Sequence, residues 1–407
     1  MKKIEGGVTA AKGFFAASTE ACIKYTNRKD MAMIFSKLPC VTAGTFTSNV
    51  VKAACVKWDK EIVEQGSATY AVVVNSGIAN ACTGKQGFDV CEKTAEAVKE
   101  ALDVPVESVM VASTGVIGMQ IPVDKIVAGV GKLTENLQET LEAGTLAAEA
   151  IMTTDTISKQ AAVTFEVDGT TVTLGGMSKG SGMIHPNMCT MLAFLTTDLN
   201  ISKELLQEAI SENVKDTFNM ISVDGDTSTN DTLLIMANGA AGNKKITEKN
   251  DDYKKFTEAL NEVNSTLAMM MAGDGEGATT LIETTVINAN TKDDAVKLAK
   301  AVIDSSLVKA AVYGNDANCG RITCALGYSG VDFDPDKIEL YFVGEKKNML
   351  LFKDGLFIDF DEEKATNLLK QKKVTILVDM KSGDAKATAW GCDLTYDYVK
   401  INADYRS

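Results

Sequence analysis

Histidine is nearly absent from this sequence. His185 is the only one in 407 residues. A zinc site or hydrolytic relay built on imidazoles therefore has almost no material. Nine cysteines stand at positions 22, 40, 55, 82, 91, 189, 319, 324 and 392, an odd number with no C-x-x-C pair. Most lie in apolar stretches such as Ala54-Cys55-Val56, so small buried hydrophobes in a reducing compartment are expected, with no metal. Five prolines against 32 glycines argue against long rigid linkers. No apolar run approaches membrane-spanning length. Glu5 and Lys12 interrupt what could have been a signal segment, so a cytoplasmic protein is expected. Positive charge is also scarce: 41 Lys and Arg against 55 Asp and Glu give a formal net charge of −14. Such a chain repels nucleic acid and anionic membranes, and neither is expected as a partner. An anionic substrate would need local basic residues in its pocket.

What remains is the composition of a globular protein, 45% hydrophobic and 24% charged, in a chain long enough for two or three domains. Strand-like and helix-like patterns alternate. Residues 70–75 read as a buried strand ending at Ser76-Gly77. Phe88, Cys91, Ala95, Val98 and Leu102 recur at helical spacing. Residues 109–112 form a second buried strand that runs into Ser113-Thr114-Gly115. Residues 161–174 alternate around Asp168-Gly169 and predict a β-hairpin. Ser202 caps a helix with Leu206, Ile210 and Val214 inward, and Thr291 opens another. Strands are expected at 279–288, 338–343 and 373–379, with a helix near 361–371. This is a mixed α/β (α+β) pattern without internal repeats.

The densest punctuation is residues 175–198, read as a flexible glycine loop leading through Pro186 and Asn187 into a buried strand at Cys189-Thr190-Met191-Leu192. A threonine hydroxyl is a weak nucleophile until a base takes its proton. His185 cannot easily complete a triad, because nothing in the sequence marks its partners. If the bond before Thr190 is broken, the freed α-amino group, with an ordinary pKa of about 7.7–8.0, becomes that base. The same hydroxyl can attack the preceding carbonyl in an N-to-O acyl shift. A threonine at a strand start is, however, usually just a good β-former. Ser113-Thr114-Gly115-Val116-Ile117-Gly118 offers a hydroxyl and a backbone N–H that could hold an oxyanion; an ordinary turn after a strand is the plainer reading. Gly273-Asp274-Gly275-Glu276-Gly277-Ala278 matches a dinucleotide fingerprint but follows a helical stretch and precedes a strand, the reverse of that fold. Asp224-Gly225-Asp226-Thr227-Ser228 resembles a calcium loop but lacks its glycine and its glutamate, so turn-forming residues are expected there.

Taken together and in order, the motifs resemble the ornithine acetyltransferase (glutamate N-acetyltransferase) family of arginine biosynthesis. They run from Gly7-Val8-Thr9-Ala10-Ala11-Lys12-Gly13-Phe14 through Thr47-Ser48-Asn49-Val50, Asn75-Ser76-Gly77-Ile78-Ala79-Asn80, Ser113-Thr114-Gly115 and Met152-Thr153-Thr154-Asp155. Then come Gly176-Met177-Ser178-Lys179-Gly180-Ser181-Gly182 and His185-Pro186-Asn187-Met188-Cys189-Thr190-Met191-Leu192. They end at Ile401-Asn402-Ala403-Asp404-Tyr405-Arg406-Ser407. The resemblance implies a layered α-β-β-α self-processing core over 1–285 and a smaller C-terminal α/β domain over 286–407. It implies self-cleavage between Cys189 and Thr190, giving α (1–189) and β (190–407) chains that stay together, as an α2β2 assembly. Thr190 then takes the acetyl group of N2-acetylornithine and passes it to glutamate in a ping-pong cycle. Thr114 and Gly115 stabilise the oxyanion. Substrate contacts fall on Thr153, Lys179, Thr190, Glu276, Asn402 and Ser407, with Lys179 suited to a carboxylate and Glu276 to an amino group. No cofactor is implied; acetyl-CoA enters only as an alternative acetyl donor. Cys189 replaces the family's usual alanine, and Asp316-Ala317-Asn318-Cys319-Gly320-Arg321-Ile322 lacks its usual proline and tryptophan. A threonine-nucleophile amidase or aminopeptidase on a related fold is the alternative enzyme, and a non-catalytic protein that kept the fold is the third reading.

Overall fold

The computed structural model describes residues 1–185 and 191–404. Cys189, Thr190 and Ser407 lie outside the described residues. Two compact units emerge: the first comprises 1–180, 191–219 and 227–267, and the second Ser181–His185, Met220–Asp226 and 268–404. The division expected at 285 is not this partition; a cut there would sever the strand Leu281–Ala289, whose ladder partners both belong to the second unit.

Among the described residues the strands are β1 (Lys2–Ile4), β2 (Phe14–Thr19), β3 (Met31–Phe46), β4 (Thr69–Asn75), β5 (Val109–Ser113), β6 (Lys159–Val167), β7 (Thr170–Lys179), β8 (Leu192–Thr197), β9 (Ile221–Ser222), β10 (Thr232–Ala237), β11 (Leu281–Ala289), β12 (Glu339–Phe342), β13 (Met349–Lys353), β14 (Leu356–Phe357), β15 (Lys373–Asp379) and β16 (Ala385–Cys392). The class is mixed α/β. In the first unit the ladder order is β1-β6-β7-β8-β10-β3-β4-β5, with β2 paired to β3. The long β3 serves two neighbourhoods. Its first half pairs with β2 and β4, its second with β10, and the register shifts between Phe35 and Cys40.

The core strands carry continuous Val, Ile, Leu and Ala runs, as strands covered on both faces require. All of β5, β8 and β10 is buried. The helix Ala54–Gln65 packs on β5, and Leu141–Ala150 covers β2 and β3. In the second unit, seven strands run in the order β14-β13-β12-β15-β11-β16-β9, and the helix Lys292–Asp304 packs on β11 and β16. No helix among the described residues is long and apolar enough to cross a membrane.

Several expectations are met at residue level. Asp168 and Gly169 have φ of 50° and 73° and join β6 to β7, the paired positive angles of a type I′ hairpin. Ser202 and Thr291 accept from the backbone N–H of Leu205 and Asp294 as helix caps. The expected stripe on Gly84–Leu102 holds at Cys91, Ala95 and Val98, but Phe88 is exposed and lies edge-on to Trp58. Cys40, Cys55, Cys91, Cys319 and Cys392 are buried, whereas Cys82 and Cys324 are exposed.

Another expectation fails. Residues 175–179 are not a flexible loop but the buried end of β7. Two adjacent glycines there mark close packing. A Cβ on Gly175 would lie 2.1 Å from the Gly7 carbonyl oxygen, and one on Gly176 would lie 2.3 Å from Leu195 Cδ2.

Candidate active site

Within the first unit, three of the expected residues come together. Lys179 ends β7 and is buried. Its ammonium donates to Thr153 Oγ1 at 2.9 Å and to Thr114 Oγ1 at 3.3 Å. Each hydroxyl, having accepted, keeps its own proton to donate onward. A lysine in this position stays charged only if a carboxylate compensates its burial. Asp155 supplies that charge. Its Oδ1 accepts from Lys159 Nζ and from Gly180 N–H, each at 2.7 Å, and its Oδ2 accepts from Thr153 N–H at 3.1 Å. Burial pushes the Asp155 pKa up, but the charges of Lys179 and Lys159 and these hydrogen bonds outweigh it, leaving the carboxyl at about 2.

Thr114 follows β5, and its N–H donates to Asn75 O at 3.0 Å. Gly115 has φ of 131°, a region open to glycine alone, and a Cβ there would sit 2.2 Å from the Gly77 carbonyl carbon. The turn therefore needs glycine on two counts, strain and space.

Asp155 and Lys159 were missed as functional residues. Asp155 belongs to the Met152–Asp155 motif, and a lysine four residues on, at the start of a strand, was the available signal. Both side chains are fully buried.

Within the second unit, Glu276 is buried, and its Oε2 accepts from Asn402 Nδ2 at 2.7 Å. The C-terminal helix Tyr396–Ala403, capped by Thr395, thus brings Asn402 to Glu276. A Cβ on Gly182 would lie 2.3 Å from the Glu276 carboxyl carbon, so this glycine leaves room for the carboxylate against the backbone. Glu276 N–H also donates to Ser181 O at 2.8 Å. The glycine-rich 273–277 stretch closes a helix and precedes β11, in keeping with the rejected dinucleotide reading.

Asp224 binds its own turn through Asp226 N–H, as a turn residue should, but it does more. Its carboxylate also accepts from Met183 N–H at 2.6 Å and Ile184 N–H at 2.9 Å. Tyr398 donates to the same group at 3.3 Å, and burial followed by that negative charge raises the phenol pKa. His185 does have serine and aspartate neighbours: Nδ1 lies 3.1 Å from Ser222 Oγ and 3.3 Å from Asp304 Oδ1. Both meet the same ring nitrogen, whereas a catalytic relay needs them on opposite nitrogens. This is an anchor for residues 181–185.

The comparisons with known proteins fit this chemistry. Residues 15–407 match the ArgJ family model. The chain is 49% identical over 407 residues, all of both chains, to the arginine biosynthesis bifunctional protein ArgJ of Caldanaerobacter subterraneus. It is 49% identical over 397 residues to the protein of the same name from Thermotoga neapolitana, covering 97% of this chain and 99% of that one. Among solved structures, a chain of the arginine biosynthesis bifunctional protein argJ of Bacillus halodurans is 45% identical, with a TM-score of 0.50. That match covers 52% of this chain and 97% of the solved one, which is therefore about half as long.

Proposed function

Because the chain belongs to the ArgJ family, we propose that it is a self-cleaving acetyltransferase that moves the acetyl group of N2-acetylornithine to glutamate in arginine biosynthesis. The observation that carries this reading is the buried Lys179 ammonium between the hydroxyls of Thr153 and Thr114. A fixed cation beside two hydroxyls suits a substrate carboxylate next to a carbonyl under attack.

In this mechanism Thr190 Oγ first attacks the Cys189 carbonyl. The peptide C–N bond breaks, an ester forms, and water hydrolyses it. The new α-amino group of Thr190 then takes the hydroxyl proton as Thr190 attacks the acetyl carbonyl of N2-acetylornithine. The Thr114 hydroxyl and the Gly115 N–H hold the tetrahedral oxyanion. Ornithine leaves with the proton, and the glutamate amine resolves the acetyl-threonine. One amide is exchanged for another, so no cofactor is needed. Thr153 and Lys179 bind the substrate, and so do Glu276, Asn402 and Ser407, with Glu276 meeting an amino group. Acetyl-CoA serves as an alternative donor for glutamate. The solved relative's chain, half the length of this one, supports a polypeptide cut near its middle. The cut chains remain together as α2β2, in the cytoplasm.

The test is the intact mass of wild type and Thr190→Ala, followed by an acetyl-transfer assay with and without glutamate. Wild type should appear as residues 1–189 and 190–407, and the variant should stay whole and inactive. An uncut wild type that transfers acetyl would refute the self-cleavage step. Acetate released without glutamate would favour the amidase instead.

A further inference from the structure

Asn230 lies just before β10, in a segment that the functional reading leaves unused. It is buried, and besides a long contact from Nδ2 to Cys55 Sγ at 3.8 Å its amide makes three bonds with oxygen. Nδ2 donates to Ser113 O at 2.8 Å and also to Ala79 O. Oδ1 accepts from Thr229 Oγ1 at 2.6 Å, which fixes the amide with its NH2 end towards the two carbonyls.

Those carbonyls flank the Thr114–Gly115 turn. Ser113 is the residue before Thr114. Ala79 belongs to the loop behind Gly115, and its N–H donates to Val116 O at 3.0 Å while Val116 N–H donates to Gly77 O at 3.1 Å. Asn75 completes the frame. Its Oδ1 accepts from Ser113 Oγ at 2.7 Å, and its Nδ2 donates to Ile78 O at 3.0 Å.

The segment that carries Asn230 also reaches Met191, the residue that precedes β8. Thr232 N–H donates to Met191 O at 2.8 Å, and β10 then runs parallel to β8 from Thr232 and Leu192 onward. Thr47 N–H pins Asp231 O at 3.0 Å. One short segment, 229–232, is thus bonded both to the turn carrying Thr114 and Gly115 and to the backbone at Met191. A side chain that bridges two separate reaction elements sets their spacing, and a displacement of about 1 Å in such a site can cost roughly 100-fold in rate.

We propose that Asn230 is a positioning residue: by tying Ser113 and Ala79 to the segment that leads into β10, it holds the oxyanion donors in register with the nucleophile. The assignment rests on the Thr190 and Thr114–Gly115 reading above. Asn230 touches no reacting atom in this role.

The test uses the full-length chain, with Asn230→Ala and Thr229→Val as variants and Thr190→Ala as control. Reactive sites are counted first, from the amplitude of acetyl-threonine formed per chain by mass spectrometry. Asn230→Ala should then lower kcat per counted site roughly 10- to 100-fold, with KM for N2-acetylornithine within about twofold of wild type. Thr229→Val keeps its volume and frees the amide to turn, so it should lower kcat per site by a smaller factor. It remains informative if the alanine variant does not fold. A purely structural role would reduce the number of reactive sites and leave the rate per site unchanged, and that result overturns the proposal. So does wild-type turnover in both variants, or a change confined to KM. If Thr190→Ala still cuts itself or transfers acetyl, the underlying nucleophile reading falls instead.

Discussion

Replacing Lys179 with methionine tests both the electrostatics and the binding role of the first-unit cluster. The substitution keeps most of the buried stem and removes the ammonium. Three things are lost: the bond to Thr153 at 2.9 Å, the bond to Thr114 at 3.3 Å, and the nearby positive charge that helps hold Asp155 at about 2. A hydrogen bond to a charged group contributes about 1.5–3 kcal/mol. If Lys179 pairs the substrate carboxylate, KM for N2-acetylornithine should therefore rise roughly 10- to 100-fold.

The stability consequence has a defined sign. Asp155 is depressed from its ordinary 3.8, so its contribution is complete above pH 4 and is lost as pH falls towards 2. The depression corresponds to roughly 2–3 kcal/mol. Without Lys179 the folded pKa rises, and part of that contribution disappears at every pH above 4. The stability gap between wild type and Lys179→Met should be widest above pH 4 and close as pH falls to 2. Urea unfolding at several pH values measures it, alongside steady-state kinetics. A gap that is constant with pH, together with an unchanged KM, would refute the reasoning on both counts.

Other expectations follow from the same geometry. Thr114→Val keeps the shape and removes the hydroxyl; kcat for acetyl transfer should fall about 10²–10³-fold with little change in thermal midpoint. Gly115→Ala forces a Cβ to within 2.2 Å of the Gly77 carbonyl at a φ of 131°, so the turn must move, and the variant should lose both stability and transfer activity, by circular dichroism melts and assay. Asp59 is fully buried, with Oδ1 accepting from Val111 N–H at 2.8 Å, and burial holds its pKa well above the ordinary value. A raised carboxyl costs stability as pH rises above its unfolded value. Asp59→Asn should therefore melt higher than wild type at neutral pH, with the advantage vanishing near pH 4; a lower midpoint at pH 7 would contradict this.

Much of the fold was legible before any coordinates. Continuous apolar runs marked β4 and β5, alternation marked β15, helical spacing marked Gly84–Leu102, and cap residues marked the starts of the helices after Ser202 and Thr291, because these signals are local. The same local logic misread 175–179. Glycines in a row suggest a loop, yet here they allow β7 to pack against Leu195 of the neighbouring strand and against Gly7, far away in sequence. Only the folded chain reveals that contact.

The candidate site divides in the same way. The identity of Thr114, Gly115, Thr153, Lys179, Glu276 and Asn402 came from motif order. Their energetics did not. No spacing rule says that the charge of Lys179 is compensated by Asp155, or that Asp155 is in turn held by Lys159 and Gly180. Nor does one say that Asp224 accepts from Met183 and Ile184, or that Asn230 reaches Ser113, 117 residues away. The sequence by itself determined the local elements and the chemical vocabulary, since both depend on neighbours within a few residues. Tertiary structure alone decided which groups are buried together, and hence their charge states and hydrogen-bond partners, because desolvation and Coulomb forces act through space and not along the chain.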